Sequence, residues 1–193
     1  FLEIAIDIRK PVFLHHREAF NDFYPMVKNA LPNLPQSIVH CFTGTKEELK
    51  AFLDLGLYIG ITGWICDPKR GMDVRDLLKY IPTDRLIVET DAPYLMPKNL
   101  VVKPKNRRNE PKYLINVVEE ISSATNIKAQ TIAEASTKNF KSFKYIVMYL
   151  GKSGKKILKE VSTKWKFDIE EMKSLTSDES TVVKISNLKK KYE

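Results

Sequence analysis

The sequence predicts an α/β fold, and within that class a (β/α)8 barrel of the TIM type, on three observations. Between residue 11 and about residue 125, short apolar runs alternate with amphipathic segments, the rhythm of strands separated by helices. The runs are apolar on both faces, which suits a parallel sheet covered on both sides. Run after run also ends on a group able to bind a metal or carry a proton: His15, His40 and then Asp91. Barrel enzymes build their active sites at the carboxyl ends of the strands. A dinucleotide fold would instead show a glycine-rich phosphate loop after a strand, and no run here is followed by one.

Each element has its own signal. PVFLH (11–15) reads as the first strand and 19–30 as a helix; 37–42 is the second strand. Thr45 caps a helix running to about Leu55, with Glu48 three residues on as a capping box requires. Gly56 supplies the turn that ends it. Residues 58–62 form the third strand, 73–80 a helix, 85–91 the fourth strand and 111–124 a helix. A full barrel takes about 250 residues, and four clear strands are present. The expected architecture is therefore an N-terminally incomplete barrel, with residues 1–144 as its carboxyl-terminal portion. A basic, partly helical tail is expected over 145–193, where Lys152, Lys155, Lys156, Lys159, Lys164 and Lys166 crowd together and the strand signal vanishes. Within it, 162–175 places Trp165, Ile169 and Met172 on one helical stripe, and order is expected to weaken after about Leu175. The chain begins on Phe1 rather than Met, so residues are expected to precede it.

The bulk numbers narrow the classes. Of the 193 residues, 43% are apolar, an ordinary globular value that argues against disorder for most of the chain. The formal charge is +8, from 32 basic and 24 acidic residues, which suits an anionic partner such as nucleic acid and suits many basic proteins equally. Cys41 and Cys66 lie in apolar runs without CxxC spacing; reduced, buried thiols in an intracellular protein follow, and a disulfide scaffold is excluded. No membrane span is expected, since the most apolar run, around Leu55 to Cys66, carries three glycines between Asp54 and Asp67. No signal peptide is visible, and the cytoplasm is the expected location, with the nucleus as the alternative.

The strand-terminal groups carry the chemistry. Imidazole and carboxylate together suit a divalent metal that activates water. Side chains two apart on a strand share a face, so Glu89 and Asp91 in LIVETDAPYL (86–95) point the same way, Asp91 into the mouth and Glu89 one layer below. A bare carboxylate there is costly unless paired or near a metal. The same alternation lets only one histidine of the His15–His16 doublet enter the mouth; position assigns that to His15 and gives His16 to the loop or helix that follows. GKSGKK (151–156) has two residues between its glycines where a phosphate loop needs four, so it is read as a flexible basic turn.

IVHCFTGTKEEL (38–49), LYIGITGWICDPKRG (57–71), LIVETDAPYLMP (86–97) and RRNEP (107–111), extending to KNFKSF (138–143), resemble the TatD family of metal-dependent deoxyribonucleases in order and spacing. The resemblance covers roughly residues 1 to 143. It implies an amidohydrolase-like (β/α)8 barrel that hydrolyses DNA phosphodiesters, as a 3′ to 5′ exonuclease on single-stranded ends. The implied cofactor is a divalent metal, Mg2+ first and Mn2+ or Zn2+ otherwise. On matching positions, His15, His40 and Asp91 are implied as metal ligands, and Asp91 and Glu89 as the catalytic acidic pair. Arg107, Arg108, Asn109 and Glu110 are implied at the substrate, where guanidinium forks fit phosphate oxygens. Glu110 and Pro111 also read as a plain helix start.

The departures are as informative. The family's HxH pair and the glutamate of its EIGLD-type strand both lie upstream of PVxxH, and neither is present. EIAID at 3–7 is too close to His15 to be that strand; residues 1–8 read better as a helix end with Leu2, Ile4 and Ile8 packing, which removes Glu3 as a ligand. Two further readings follow: a truncated, non-catalytic fragment that binds nucleic acid or a partner, and an amidohydrolase-like barrel acting on a non-nucleic substrate. The oligomeric state carries no sequence signal.

Overall fold

The computed structural model describes residues 2–7 and 9–143, and Phe1–Phe143 form one compact unit. The basic tail expected over 145–193, including the helix at 162–175, lies outside the described residues. Four strands make one parallel sheet in sequential order: β1 (Phe13–His15), β2 (Ile38–His40), β3 (Tyr58–Ile61) and β4 (Leu86–Val88). Helices α1 (Leu2–Asp7), α2 (Phe20–Ala30), α3 (Lys46–Asp54), α4 (Met72–Leu77), α5 (Leu114–Thr125) and α6 (Ala129–Ser142) complete it, with single 3-10 turns between. Adjacent parallel strands joined through helices are the repeating unit of a (β/α)8 barrel, and the described residues contain four such strands.

The register explains the two faces of the sheet. Leu14 pairs with Val39, Val39 with Ile59, and Ile59 with Leu86. All four pack in one apolar cluster with Val27 of α2, Leu49 and Phe52 of α3, Val117 and Ile121 of α5 and Ile132 of α6. Ile38 and Ile87 are equally buried but outside that cluster, because alternation turns them to the opposite face. That opposite face carries His15, His40 and Gly60.

Local signals act as expected at α3. Glu48 N–H donates to Thr45 Oγ1 at 3.2 Å and Thr45 N–H to Glu48 Oε2 at 2.8 Å, a reciprocal capping box. Gly56, at φ 74°, closes the other end, with its N–H on Leu53 O and that of Leu57 on Phe52 O. Two expectations change and one is refined. Residues 2–7 are helical and Leu2 packs against the core as expected, but the buried position is Ala5 and Ile4 is 58% exposed, while Ile8 lies outside the described residues; one short turn buries a single narrow stripe. The fourth strand ends at Val88 rather than 91, because past Glu89 N–H, which donates to Ile61 O, the chain turns, with Tyr94 N–H donating to Asp91 O. His16 begins the loop after β1 as expected, and it is also buried, among Phe20, Phe23 and Phe52, with ring centroids 5.2–6.1 Å away.

Candidate active site

The carboxyl ends of the four strands bring the sequence-marked groups together. Register places His15 directly opposite His40, and their ring centroids are 4.7 Å apart. His40 is gripped on both nitrogens: Nδ1 lies 2.9 Å from Glu89 Oε2 and Nε2 3.5 Å from Asp91 Oδ1. The same Glu89 oxygen accepts from Cys41 N–H at 3.1 Å, where the chain leaves β2 in a left-handed turn (φ 49°). Glu89 is buried and Asp91 stands at the rim, as the period of two requires. Burial depresses the basicity of His40, but the hydrogen bond it donates to Glu89 and the charges of Glu89 and Asp91 outweigh it, so its pKa is raised above 6.5.

Gly60 makes room for this arrangement. A Cβ there would sit 2.5 Å from the Glu89 carboxyl carbon, so β3 passes flush against the buried carboxylate. A glycine inside a strand is the sequence signal for such close approach, and it was open to reading in YIGI. Gly63, after β3, does the same for the next loop: a Cβ would meet the Leu95 carbonyl oxygen and lie 3.2 Å from Pro97 N.

The RRNEP loop joins the site through Asn109. Its N–H donates to Pro93 O at 3.0 Å, and its Nδ2 donates to Tyr94 O at 2.7 Å and to Leu95 O and Thr90 Oγ1 at 3.3 Å. Asn109 is 5% exposed, so its side chain shapes the Asp91 turn from beneath rather than facing solvent. Arg107 and Arg108 are exposed, carried beside that turn by their neighbour Asn109. Glu110 bonds Lys112 at 2.8 Å and precedes Pro111–Tyr113, the 3-10 turn that leads into α5.

Asp67 fastens the loop after β3 to the loop after β4. It accepts Lys98 Nζ at 2.6 Å, the N–H groups of Lys69 and Arg70 at 3.0 and 3.1 Å, and Arg70 Nε at 2.9 Å. The Lys98 bond first, then the others, hold its carboxyl well below the usual carboxylate range. Asp-Pro in ICDPKRG signals a turn, but nothing local signals Lys98 as its partner. The guanidinium of Arg70 stacks on Trp64 at 4.5 Å.

The donor chemistry of the cluster suits a divalent cation: two imidazoles, two carboxylates, and a Glu89 Oε1 that is buried without a hydrogen-bond partner. Its arrangement does not complete a centre. Among the described residues no group of three or more His, Cys, Asp and Glu side chains is placed to hold a metal ion.

The family model described as TatD related DNase matches residues 1–144. A 3'-5' ssDNA/RNA exonuclease TatD from Rahnella sp. (strain Y9602) is 49% identical over 138 residues, which are 72% of this chain and 52% of that protein. The protein of the same name from Edwardsiella piscicida is 56% identical over 119 residues, 62% of this chain and 46% of its own length. The chain thus spans about half the length of the curated relatives it matches. Among solved structures, a TatD homolog from Escherichia coli k12 superposes with a TM-score of 0.65 at 27% identity, covering 74% of this chain and 52% of that one. A hydrolase TatD family protein from Entamoeba histolytica gives 0.63 at 27% identity, covering 74% and 53%.

Proposed function

The chain belongs to the family of TatD-related DNases, and from that membership we propose that it carries part of the catalytic face of a hydrolase that cleaves DNA phosphodiester bonds, working 3′ to 5′ on single-stranded ends. The observation that supports this most directly is His40 fixed between Glu89 and Asp91 and facing His15. Glu89 holds the Nδ1 side of the imidazole and so directs Nε2 toward the rim. Asp91, partly exposed there, is placed to orient an attacking water and accept its proton. Arg107 and Arg108 contribute forked donors to the phosphate oxygens. Asn109 sets the loop's shape, and Glu110, paired with Lys112 at the start of the turn into α5, is kept with them as a proposed substrate contact.

We propose a divalent cation as cofactor, Mg2+ first and Mn2+ or Zn2+ as alternatives, with His15, His40 and Asp91 among its donors. When bound, such an ion lowers the pKa of a coordinated water and neutralises charge on the phosphoryl oxygens. The free thiols Cys41 and Cys66 suit a reducing compartment, the cytoplasm before the nucleus. No helix among the described residues is long and apolar enough to cross a membrane.

The test is nucleotide release from end-labelled single-stranded DNA with Mg2+ or Mn2+, comparing the wild-type chain with Asp91→Ala. Loss of release in the variant, and from the 3′ end first in the wild type, is expected; equal rates would sink the catalytic assignment. One observation favours a second reading, a non-catalytic nucleic-acid-binding fragment: the described donors do not close a three-group metal centre. Binding of single strands without metal-dependent release by the wild-type chain would select it.

A further inference from the structure

Tyr94 is 71% exposed, although the backbone beneath it is among the best-anchored in the site. Its N–H donates to Asp91 O at 2.7 Å, its carbonyl accepts Asn109 Nδ2 at 2.7 Å, and the next residue, Leu95, sits in the left-handed region (φ 51°) with its carbonyl against Gly63. An apolar ring held open to water on a fixed backbone is pre-organised: little freedom remains to be lost when something covers it. Its surroundings say what would cover it. The loop that follows carries exposed Lys98, Lys103, Lys105, Arg107 and Arg108, interleaved with Val101 and Val102, which are 100% and 80% exposed. Cations alternating with bare aromatic and apolar groups match a flexible polyanion with flat apolar rings.

We propose that Tyr94 is a base-stacking platform, taking an unpaired base of the strand whose phosphate lies beside Asp91. This rests on the nuclease reading above and adds a source of substrate choice to it. Inside a duplex both faces of a base are covered by its neighbours, so an exposed ring rewards an unstacked base most. Tyr94 thus selects single strands without reading sequence, because every base has a face to offer. The cationic loop draws in the backbone and the ring sorts what it carries. Val101 and Val102 line the path of the same strand.

The experiment is fluorescence anisotropy of the full chain with two labelled oligonucleotides of equal length, one carrying bases and one abasic throughout. Tyr94→Ala is expected to lose about tenfold in affinity for the base-carrying strand, with no change for the abasic strand and an unchanged salt dependence. Tyr94→Phe is expected to bind as the wild type does, since the ring and not the hydroxyl stacks. Equal affinity of the alanine variant and the wild type for the base-carrying strand, or an equal loss on both strands, overturns the proposal while leaving the nuclease reading intact. Failure of the wild-type chain to bind either strand overturns both together.

Discussion

His40 concentrates the chemistry of this surface in one side chain. Burial works against its positive charge, and the Glu89 bond with the charges of Glu89 and Asp91 works for it; the second group wins. Replacing Glu89 with Gln removes a charge and leaves the burial, so His40 should titrate lower in Glu89→Gln, read from imidazole NMR shifts; an unchanged titration would contradict the clamp. The stability consequence has a definite sign. A histidine whose folded pKa is raised stabilises the fold fully below about 6.5 and loses that contribution as pH climbs through the folded value. Glu89→Gln should therefore fall furthest below wild type near about pH 6 and close part of the gap by about pH 9, in urea midpoints. At this scale His15, His40, Glu89 and Asp91 were legible as positions, because strand ends and a period of two are local properties. So was the place of His16 at the start of the next loop, but its burial among phenylalanines was not, because that depends on α2 and α3 packing over it.

Elements show the same division between near and far. The capping box of α3 and its closing Gly56 involve residues within a few positions of each other and were readable directly; Thr45→Ala should cost about 1 kcal/mol. The docking of α6 on β4 was not readable. Ser136 Oγ accepts Val88 N–H at 2.8 Å, and Asn139 Nδ2 donates to Leu86 O and Thr83 O at 2.8 and 2.7 Å. Side chains of a helix thereby satisfy backbone groups of the sheet's terminal strand. Removing the amide leaves buried carbonyls unpaired, so Asn139→Ala should lose about 1–3 kcal/mol, visible as a lower urea midpoint with an unchanged slope. A loss no larger than that of an exposed site such as Lys138→Ala would refute the role. KNFKSF marks the right segment in the sequence, yet nothing in it says which atoms Asn139 will meet.

For the whole molecule, a net charge of +8 makes binding of a polyanion salt-dependent. On single strands each neutralised phosphate contributes about −0.7 to the slope of log affinity against log salt. If Arg107 and Arg108 each meet a phosphate, the double alanine variant should flatten that slope by about 1.4, measured by anisotropy across a salt series; an unaltered slope would move the phosphate contacts elsewhere. The sequence by itself determined the rhythm of strands and helices, the caps of α3, and the strand-end placement of His15, His40 and Asp91, because these follow from neighbours in the chain and from periodicity. Only the tertiary structure decided that His15 faces His40 in register, that Glu89 reaches the Cys41 N–H 48 residues away, that Gly60 clears its path, and that Asn109 props the turn bearing Tyr94. Those contacts are set by the stagger of parallel strands and by loops crossing between them, and long-range packing of that kind leaves no local pattern to read.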